Sequence, residues 1–210
     1  MTSVLIIDDH PIVLQGCRRV LEDAGIAPVF GAGDVVSGYR LFRQHAPDVV
    51  IIDLAMKGTG LGGLALIRRI RSHDARVRIL VLSMHDDPAI VTRSLEAGAS
   101  GYVLKDTSSE ELVKAVTQVA SGAGFLSGDL GMKVALSGSG GRGPLSDLTP
   151  RELQVLALLA DGKPYDRIAS ELNVSYKTVV NVSAQLKQKL QAGNLPELVS
   201  TAVKMLAPQS

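Results

Sequence analysis

The sequence predicts a doubly wound α/β domain with a five-stranded parallel sheet in the order 2-1-3-4-5, followed by a small all-α domain of four helices. Three observations carry this. Short runs rich in Val, Ile and Leu are apolar at successive positions, as strands covered on both faces are. Amphipathic stretches separate them in a regular βα alternation. Beyond residue 146 the strand-like runs stop and only helical periodicity remains.

The five runs are Val4–Ile7, Pro28–Phe30, Val49–Leu54, Ile79–Ser83 and Gly101–Leu104. Among the intervening helices, Pro11–Asp23 opens with proline in its first turn and stops before Gly25. Leu64–Ser72 sets Leu64, Ile67 and Ile70 along one stripe, with arginines opposite. Pro88–Ala97 stops at Gly98, and Glu110–Ala120 follows the capping pair Ser108-Ser109. These elements define a first domain over residues 1–122.

Residues 123–146 read as a flexible linker, because they contain the run SGSGGRG. Gly138, Gly140 and Gly143 match GxGxxG literally, but no strand precedes them and no helix opens at the third glycine, so the match carries no phosphate cradle. The second domain covers residues 147–210. Thr149-Pro150-Arg151-Glu152 is a capping box with proline at the first helical position, and Leu153, Leu156 and Leu159 follow at helical spacing. A short helix Pro164–Leu172, a tight turn at Asn173–Ser175 and a longer helix Tyr176–Leu190 form the pattern of a helix-turn-helix. A fourth helix runs from Pro196 to Leu206. Its apolar residues Leu198, Val199, Ala202, Val203 and Leu206 suit either packing on the other three helices or a dimer face.

Composition narrows the function classes. With 22 basic and 21 acidic residues the net charge is +1, so bulk charge announces no nucleic-acid binder and any such role rests on local residues. The single cysteine, Cys17, forms no internal disulfide, which fits a reducing compartment and a packing role. The N-terminus reaches an acidic pair too early for a signal peptide, and no apolar run has the length of a membrane span. The expectation is a cytoplasmic protein.

In a doubly wound sheet, chemistry gathers beyond the carboxyl ends of the strands. Asp8 and Asp9 end the first strand and Asp53 the third; with the predicted order these strands are neighbours, so three carboxylates converge. A hard divalent cation such as Mg²⁺ relieves their repulsion through oxygen ligands. Lys105 and Ser83, at the ends of the fifth and fourth strands, bring an ammonium and a hydroxyl to the same rim. That set suits phosphoryl transfer, with a carboxylate as nucleophile and cations offsetting phosphoryl charge.

The chain closely resembles response regulators of the NarL/FixJ family with a LuxR-type output domain. The resemblance rests on LIIDDHPIV, DVVIIDLAM, LVLSMHDDP, EAGASGYVLKD and LTPRELQVLALLADG…IASELNVSYKTV, and covers nearly the whole chain. It implies a CheY-like, flavodoxin-like receiver whose Asp53 accepts a phosphoryl group from a sensor histidine kinase. It implies that Asp8, Asp9, Asp53 and the carbonyl of Ala55 hold Mg²⁺, that Lys105 and Ser83 bind the phosphoryl group, and that Tyr102 moves with Ser83 as a switch. It also implies promoter DNA as ligand, and because helix-turn-helix readers commonly use paired half-sites, a homodimer is expected when active. The chain departs from the family pattern at Lys57, where proline is usual, and in a longer loop after Asp53. Met84 replaces a common alanine.

The helix Tyr176–Leu190 divides by face. Val179, Val182, Leu186 and Leu190 point inward; Lys177, Val180, Asn181, Ala184 and Gln188 point outward. Its charged residues are Lys177, Lys187 and Lys189, with no acid, as a phosphate-facing helix needs. Thr178 and Ser183 add hydroxyls for backbone phosphates, Asn181 suits adenine and Val180 a thymine methyl. The family usually has Lys or Arg at Val180 and often His at Val182, so a modest phosphate footprint is expected. Two other functions are weighed. In one, phosphorylation controls a protein-binding module whose helix-turn-helix reads no DNA. The other is a Mg²⁺-dependent phosphatase with an Asp nucleophile; such enzymes carry a second Asp two residues later, where this chain has Ala55.

Overall fold

The computed structural model describes residues 2–56, 60–138 and 144–206, with backbone only at 137–138. Lys57 and most of the Gly/Ser run fall outside the described residues.

Six strands, β1 (Val4–Ile7), β2 (Val29–Ala32), β3 (Val49–Ile52), β4 (Arg78–Ser83), β5 (Gly101–Leu104) and β6 (Phe125–Leu126), form one sheet in the order β2-β1-β3-β4-β5-β6. Every neighbouring pair is parallel. The predicted order is recovered, and one strand is added at the edge. β6 follows a glycine-flanked turn and pairs Phe125 with Gly101; any side chain at Gly101 would meet the Phe125 carbonyl.

Unbroken apolar runs in the strands have a direct cause: both faces are covered. Leu5, Ile7, Val50 and Ile52 point into one layer, where α2 (Val35–His45), α3 (Gly62–His73) and α4 (Pro88–Glu96) bury Phe42, Ile67, Ile70 and Val91. Val4, Ile6, Val49 and Ile51 point into the other, against α1 (Pro11–Asp23) and α5 (Ser109–Ala120) through Leu21, Leu112 and Val116. Each such side chain contributes about 1.5–3 kcal/mol by leaving water, and truncating Ile67 to Ala costs about 2–5 kcal/mol. Pro11 starts α1 as expected, and α2, for which the sequence offered no proline start, is capped by Asp34 accepting from Val36 and Ser37 backbone N–H groups.

The segment expected to be a flexible linker instead contains β6 and the helix α6 (Gly128–Gly138), which packs on α4 through Leu130 and Val134. The apolar spacing Leu130, Val134 explains why it folds back. The C-terminal unit follows as α7 (Pro150–Ala160), α8 (Tyr165–Glu171), α9 (Tyr176–Lys189) and α10 (Leu195–Leu206). The capping box forms: Thr149 N–H donates to Glu152 Oε2 at 2.6 Å and Glu152 N–H to Thr149 Oγ1 at 3.2 Å. α10 packs on α7 with Leu198, Ala202 and Leu206 buried, while Val203 of the same apolar set stays exposed. Among the described residues no helix is long and apolar enough to cross a membrane.

Candidate functional site

The parallel register sets the ends of β1 and β3 side by side, with Ile7 opposite Ile52. Asp8 and Asp53 therefore leave the sheet at the same level, only 1% and 2% exposed. Lys105, one residue beyond β5, places its Nζ 2.8 Å from Asp8 Oδ2 and 2.8 Å from Asp53 Oδ2. Behind Asp53, α3 begins against the strand's own backbone: Gly63 N–H donates to the Leu54 carbonyl at 3.1 Å, and a Cβ at Gly63 would collide with the Leu54 backbone. Only glycine lets the helix start so close to Asp53.

Electrostatics follow from this burial. Desolvation holds the Asp53 carboxyl above its ordinary value, with the Lys105 ammonium pulling the other way. Burial penalises the Lys105 charge, but Asp53 and Asp8 outweigh it and hold the ammonium above the usual lysine range. Cys17, half-buried in α1, is pushed up to about 11 by burial and by the charge of Asp8, so it stays a thiol with a packing role.

Asp9 joins the cluster, and so does a residue to which the sequence assigned no role. His10 Nδ1 lies 3.0 Å from Asp8 Oδ1 and 3.0 Å from Asp9 Oδ1. One ligand atom from each of Asp8, Asp9, His10 and Asp53 falls within 4.8 Å of the others. Three carboxylates at that spacing fit a hard divalent cation such as Mg²⁺. Ala55, the fourth predicted ligand, is exposed beside them and donates its N–H to Asp53 Oδ1 at 3.2 Å.

Ser83 and Tyr102, the residues expected to form the switch, lie on the next two strands, β4 and β5. Ser83 is fully buried and accepts from the His85 N–H at 3.3 Å. Tyr102 is also buried, with its hydroxyl donating to the His85 carbonyl at 2.6 Å. Both thus converge on His85, again a residue that sequence reasoning passed over. Met84, between Ser83 and His85 in the chain, is 48% exposed.

His85 connects this rim to the C-terminal unit. Its Nδ1 lies 3.2 Å from the Leu206 carbonyl at the end of α10, and burial depresses its basicity. Gly60, at φ +56°, sits so near α7 that a Cβ would lie 2.8 Å from the Gln154 carbonyl. Arg93 of α4 donates through Nη2 to the carbonyls of Leu145, Ser146 and Leu148. Between the units lies a cavity of about 550 Å³, lined by His10, Ala55, His85, Asp161, Lys163 and Leu206 among others. The C-terminal unit thus stands over the mouth of the acidic cluster.

On α9, Lys177, Val180, Asn181, Ala184 and Gln188 are exposed, as the helical spacing predicts, and Thr178 and Lys187 are half-buried at its flank. Ser183 is a correction. It is 1% exposed and its hydroxyl bonds to that of Tyr165, so it faces α8 rather than solvent. Lys189 is committed as well, donating to Glu152 Oε2 at 2.8 Å and to the Asp147 carbonyl at 3.0 Å. The cations of the helix with no ion pair among the described residues reduce to exposed Lys177 and half-buried Lys187.

Comparison with known proteins agrees with this geometry. Residues 4–117 match the response regulator receiver domain family, and residues 146–202 match the bacterial regulatory proteins of the luxR family. The chain is 37% identical over 203 residues to the methanol utilization control regulatory protein MoxX of Paracoccus denitrificans, covering 96% of this chain and 91% of that one. It is 34% identical over 208 residues to the response regulator UvrY of Escherichia coli, covering 97% and 94%. Among solved structures, RcsB from Salmonella enterica bound to promoter rprA with a phosphomimetic superposes with a TM-score of 0.76 at 30% identity, covering 97% of this chain and 98% of that one. With a receiver fold, its acidic rim and a C-terminal helix-turn-helix in one chain, the protein belongs to the response regulators of the NarL/FixJ family with a LuxR-type DNA-binding domain.

Proposed function

We propose that this protein is a cytoplasmic response regulator in which a sensor histidine kinase phosphorylates Asp53 and thereby controls promoter binding by α9. The observation that carries the reading is the Lys105 ammonium shared, at 2.8 Å each, between Asp8 and Asp53. An Asp53 carboxylate oxygen attacks phosphorus, the phosphorus–nitrogen bond of the donor phosphohistidine breaks, and its electron pair returns to the imidazole. Lys105 turns from its two carboxylates toward the new phosphoryl oxygens, and Ser83 donates a hydrogen bond to one of them. Asp8, Asp9, Asp53 and the Ala55 carbonyl would hold Mg²⁺, which supplies positive charge for the phosphoryl oxygens. The chemistry stops at self-phosphorylation and slow self-dephosphorylation, since Ala55 offers no acid two residues after the nucleophile.

Release follows from where the C-terminal unit sits. The cavity at the acceptor's mouth is walled on one side by α7 and α10, so a kinase domain and the docked C-terminal unit compete for the same space. Phosphorylation recruits Ser83, and with it the His85 backbone to which Ser83 and Tyr102 are bonded. Moving His85 breaks its contact with Leu206 and frees the unit to pair with a second copy on two DNA half-sites. A solved relative, RcsB, is described as two dimers bound to two parallel DNAs.

The experiment measures binding of the full chain to its own upstream DNA before and after acyl-phosphate treatment with Mg²⁺. At least tenfold tighter binding after treatment is expected. Treatment-dependent assembly with no DNA binding in either state overturns the reading in favour of a phosphorylation-controlled protein-binding module.

A further inference from the structure

The outer surface made by α2 and α3 carries a charge pattern that neither the acceptor chemistry nor the fold requires. The two helices hold Arg40, Arg43, Arg68, Arg69 and Arg71, and not one Asp, Glu or Lys. In a chain with 22 basic and 21 acidic residues, such segregation is not compositional drift. Arg71 has a structural role, donating to the carbonyls of Ala75, Val77 and Gly98. The other four arginines are exposed, and none forms an ion pair with a carboxylate among the described residues.

Two of them meet ring side chains instead. Arg43 Nη1 lies 3.3 Å from His73 Nδ1 across the helix pair, and the Arg69 guanidinium lies 4.0 Å over the Tyr39 ring. The flanking acids Asp34 and Asp74 feel the charges of Arg40 and Arg71, but their hydrogen bonds go to other groups. Asp34 caps α2 and takes the Ser37 hydroxyl at 2.5 Å, and Asp74 accepts from the Arg76 N–H at 2.7 Å. Arg40 and Arg43 lie one turn apart on α2 and Arg68 and Arg69 adjoin on α3, and neither helix carries an acid to offset them. Beyond the Tyr39 and His73 contacts, these four arginines form no ion pair among the described residues.

We propose that the α2–α3 face is a second polyanion-binding surface, taking the phosphate backbone of DNA outside the bases read by α9. Three features favour DNA. Every cation is arginine, whose fork matches phosphate oxygens in two-point contact, and Arg69 is held flat by Tyr39 before any ligand arrives. The recognition helix is short of phosphate partners, with Lys189 tied to Glu152 and only Lys177 and Lys187 left without an ion pair among the described residues. On α2 and α3 the one large exposed apolar side chain is Val36, so the face lacks the apolar anchors of a membrane-bound helix or a protein interface core. The inference goes beyond the reading of Asp53 and α9 and does not need α9 to recognise bases.

The test measures full-length protein binding to a random-sequence duplex by fluorescence anisotropy across a range of NaCl concentrations. Each lost phosphate contact flattens the plot of log affinity against log salt by about 0.9. Arg40→Gln/Arg43→Gln/Arg69→Gln is expected to flatten it by about 2–3 and to weaken low-salt binding at least tenfold. The triple Arg→Lys variant, which keeps the charge, retains most of the slope. A Lys177→Gln/Lys187→Gln variant reports on α9 separately: if it keeps the full slope while the arginine variant loses it, the α9 reading fails and this one stands. An unchanged slope in the arginine-to-glutamine variant, with far-UV circular dichroism and melting intact, overturns the proposal. So does equal loss in the lysine variant, which would mark a structural role. Arginine-dependent binding to phosphatidylglycerol vesicles or poly-glutamate, with DNA binding unaffected, overturns it in favour of a lipid or an acidic protein.

Discussion

At the carboxyl edge of the sheet, Asp8, Asp53 and Lys105 are nearly excluded from water and each finds its counter-charge within the chain. On α9, Lys177, Val180, Asn181 and Ala184 stand in solvent, and Lys177 forms no ion pair among the described residues. The contrast has a simple energetic origin. A buried charge costs several kcal/mol unless matched, so the residues of the rim are dictated by one another. An exposed side chain costs almost nothing to change, so the fold leaves the outward residues of α9 unconstrained.

The largest effect should come from unmatching the rim. Lys105→Met leaves Asp8 and Asp53 facing each other without a cation, and urea denaturation in EDTA should show a loss of about 3–5 kcal/mol. Adding Mg²⁺ should recover much of it. Unaltered stability in EDTA would mean that the rim is not a closed electrostatic unit. Arg93→Ala comes next. Three carbonyls lose a charged donor, which should shift docking of the C-terminal unit by about 2–3 kcal/mol. Small-angle scattering should then register a larger radius of gyration without phosphorylation; an unchanged radius removes Arg93 from the interdomain contact.

Glu152 sharpens the comparison from inside the DNA-binding unit, being a buried matched charge like those of the rim. Burial raises its carboxyl, but Lys189 and the Thr149 cap outweigh this and hold it below the ordinary glutamate value. Its stabilisation is therefore complete above that ordinary value and is lost as pH falls through the lower folded value. Glu152→Gln should cost about 1–2 kcal/mol at neutral pH, and its stability should fall less steeply than wild type in acid. Parallel acid limbs would contradict the pairing. The smallest effect belongs to the exposed helix. Lys177→Gln should leave stability within about 0.5 kcal/mol while flattening the salt dependence of DNA binding by about 0.9. A stability loss well above that would place Lys177 in a structural role.

What the sequence revealed divides along the same line. β1 and β3 were legible because VLII and VVII are apolar without interruption, which only two-sided burial explains. The acidic rim followed once strand order was set, since strand ends locate residues without any side-chain detail. β6 escaped because two residues between glycines carry no period, and α2 because Gly38 interrupts its apolar stripe; the Asp34 cap was the available signal. Ser183 was misplaced although its spacing was informative. It lies four residues after Val179 and three before Leu186, on the stripe that both bury. The contacts of Arg93 and His85 with the C-terminal unit join backbone carbonyls to side chains more than fifty positions away, and no local pattern encodes such pairs.

The central claim is that Asp53, held by Lys105 and its neighbouring acids, is the phosphoryl acceptor. Incubating the full chain with radiolabelled acetyl phosphate, with and without Mg²⁺, tests it directly. The account predicts Mg²⁺-dependent label, released by hydroxylamine as an acyl phosphate is, and no label on a folded Asp53→Asn variant. Label that survives Asp53→Asn, or that resists hydroxylamine, would contradict it.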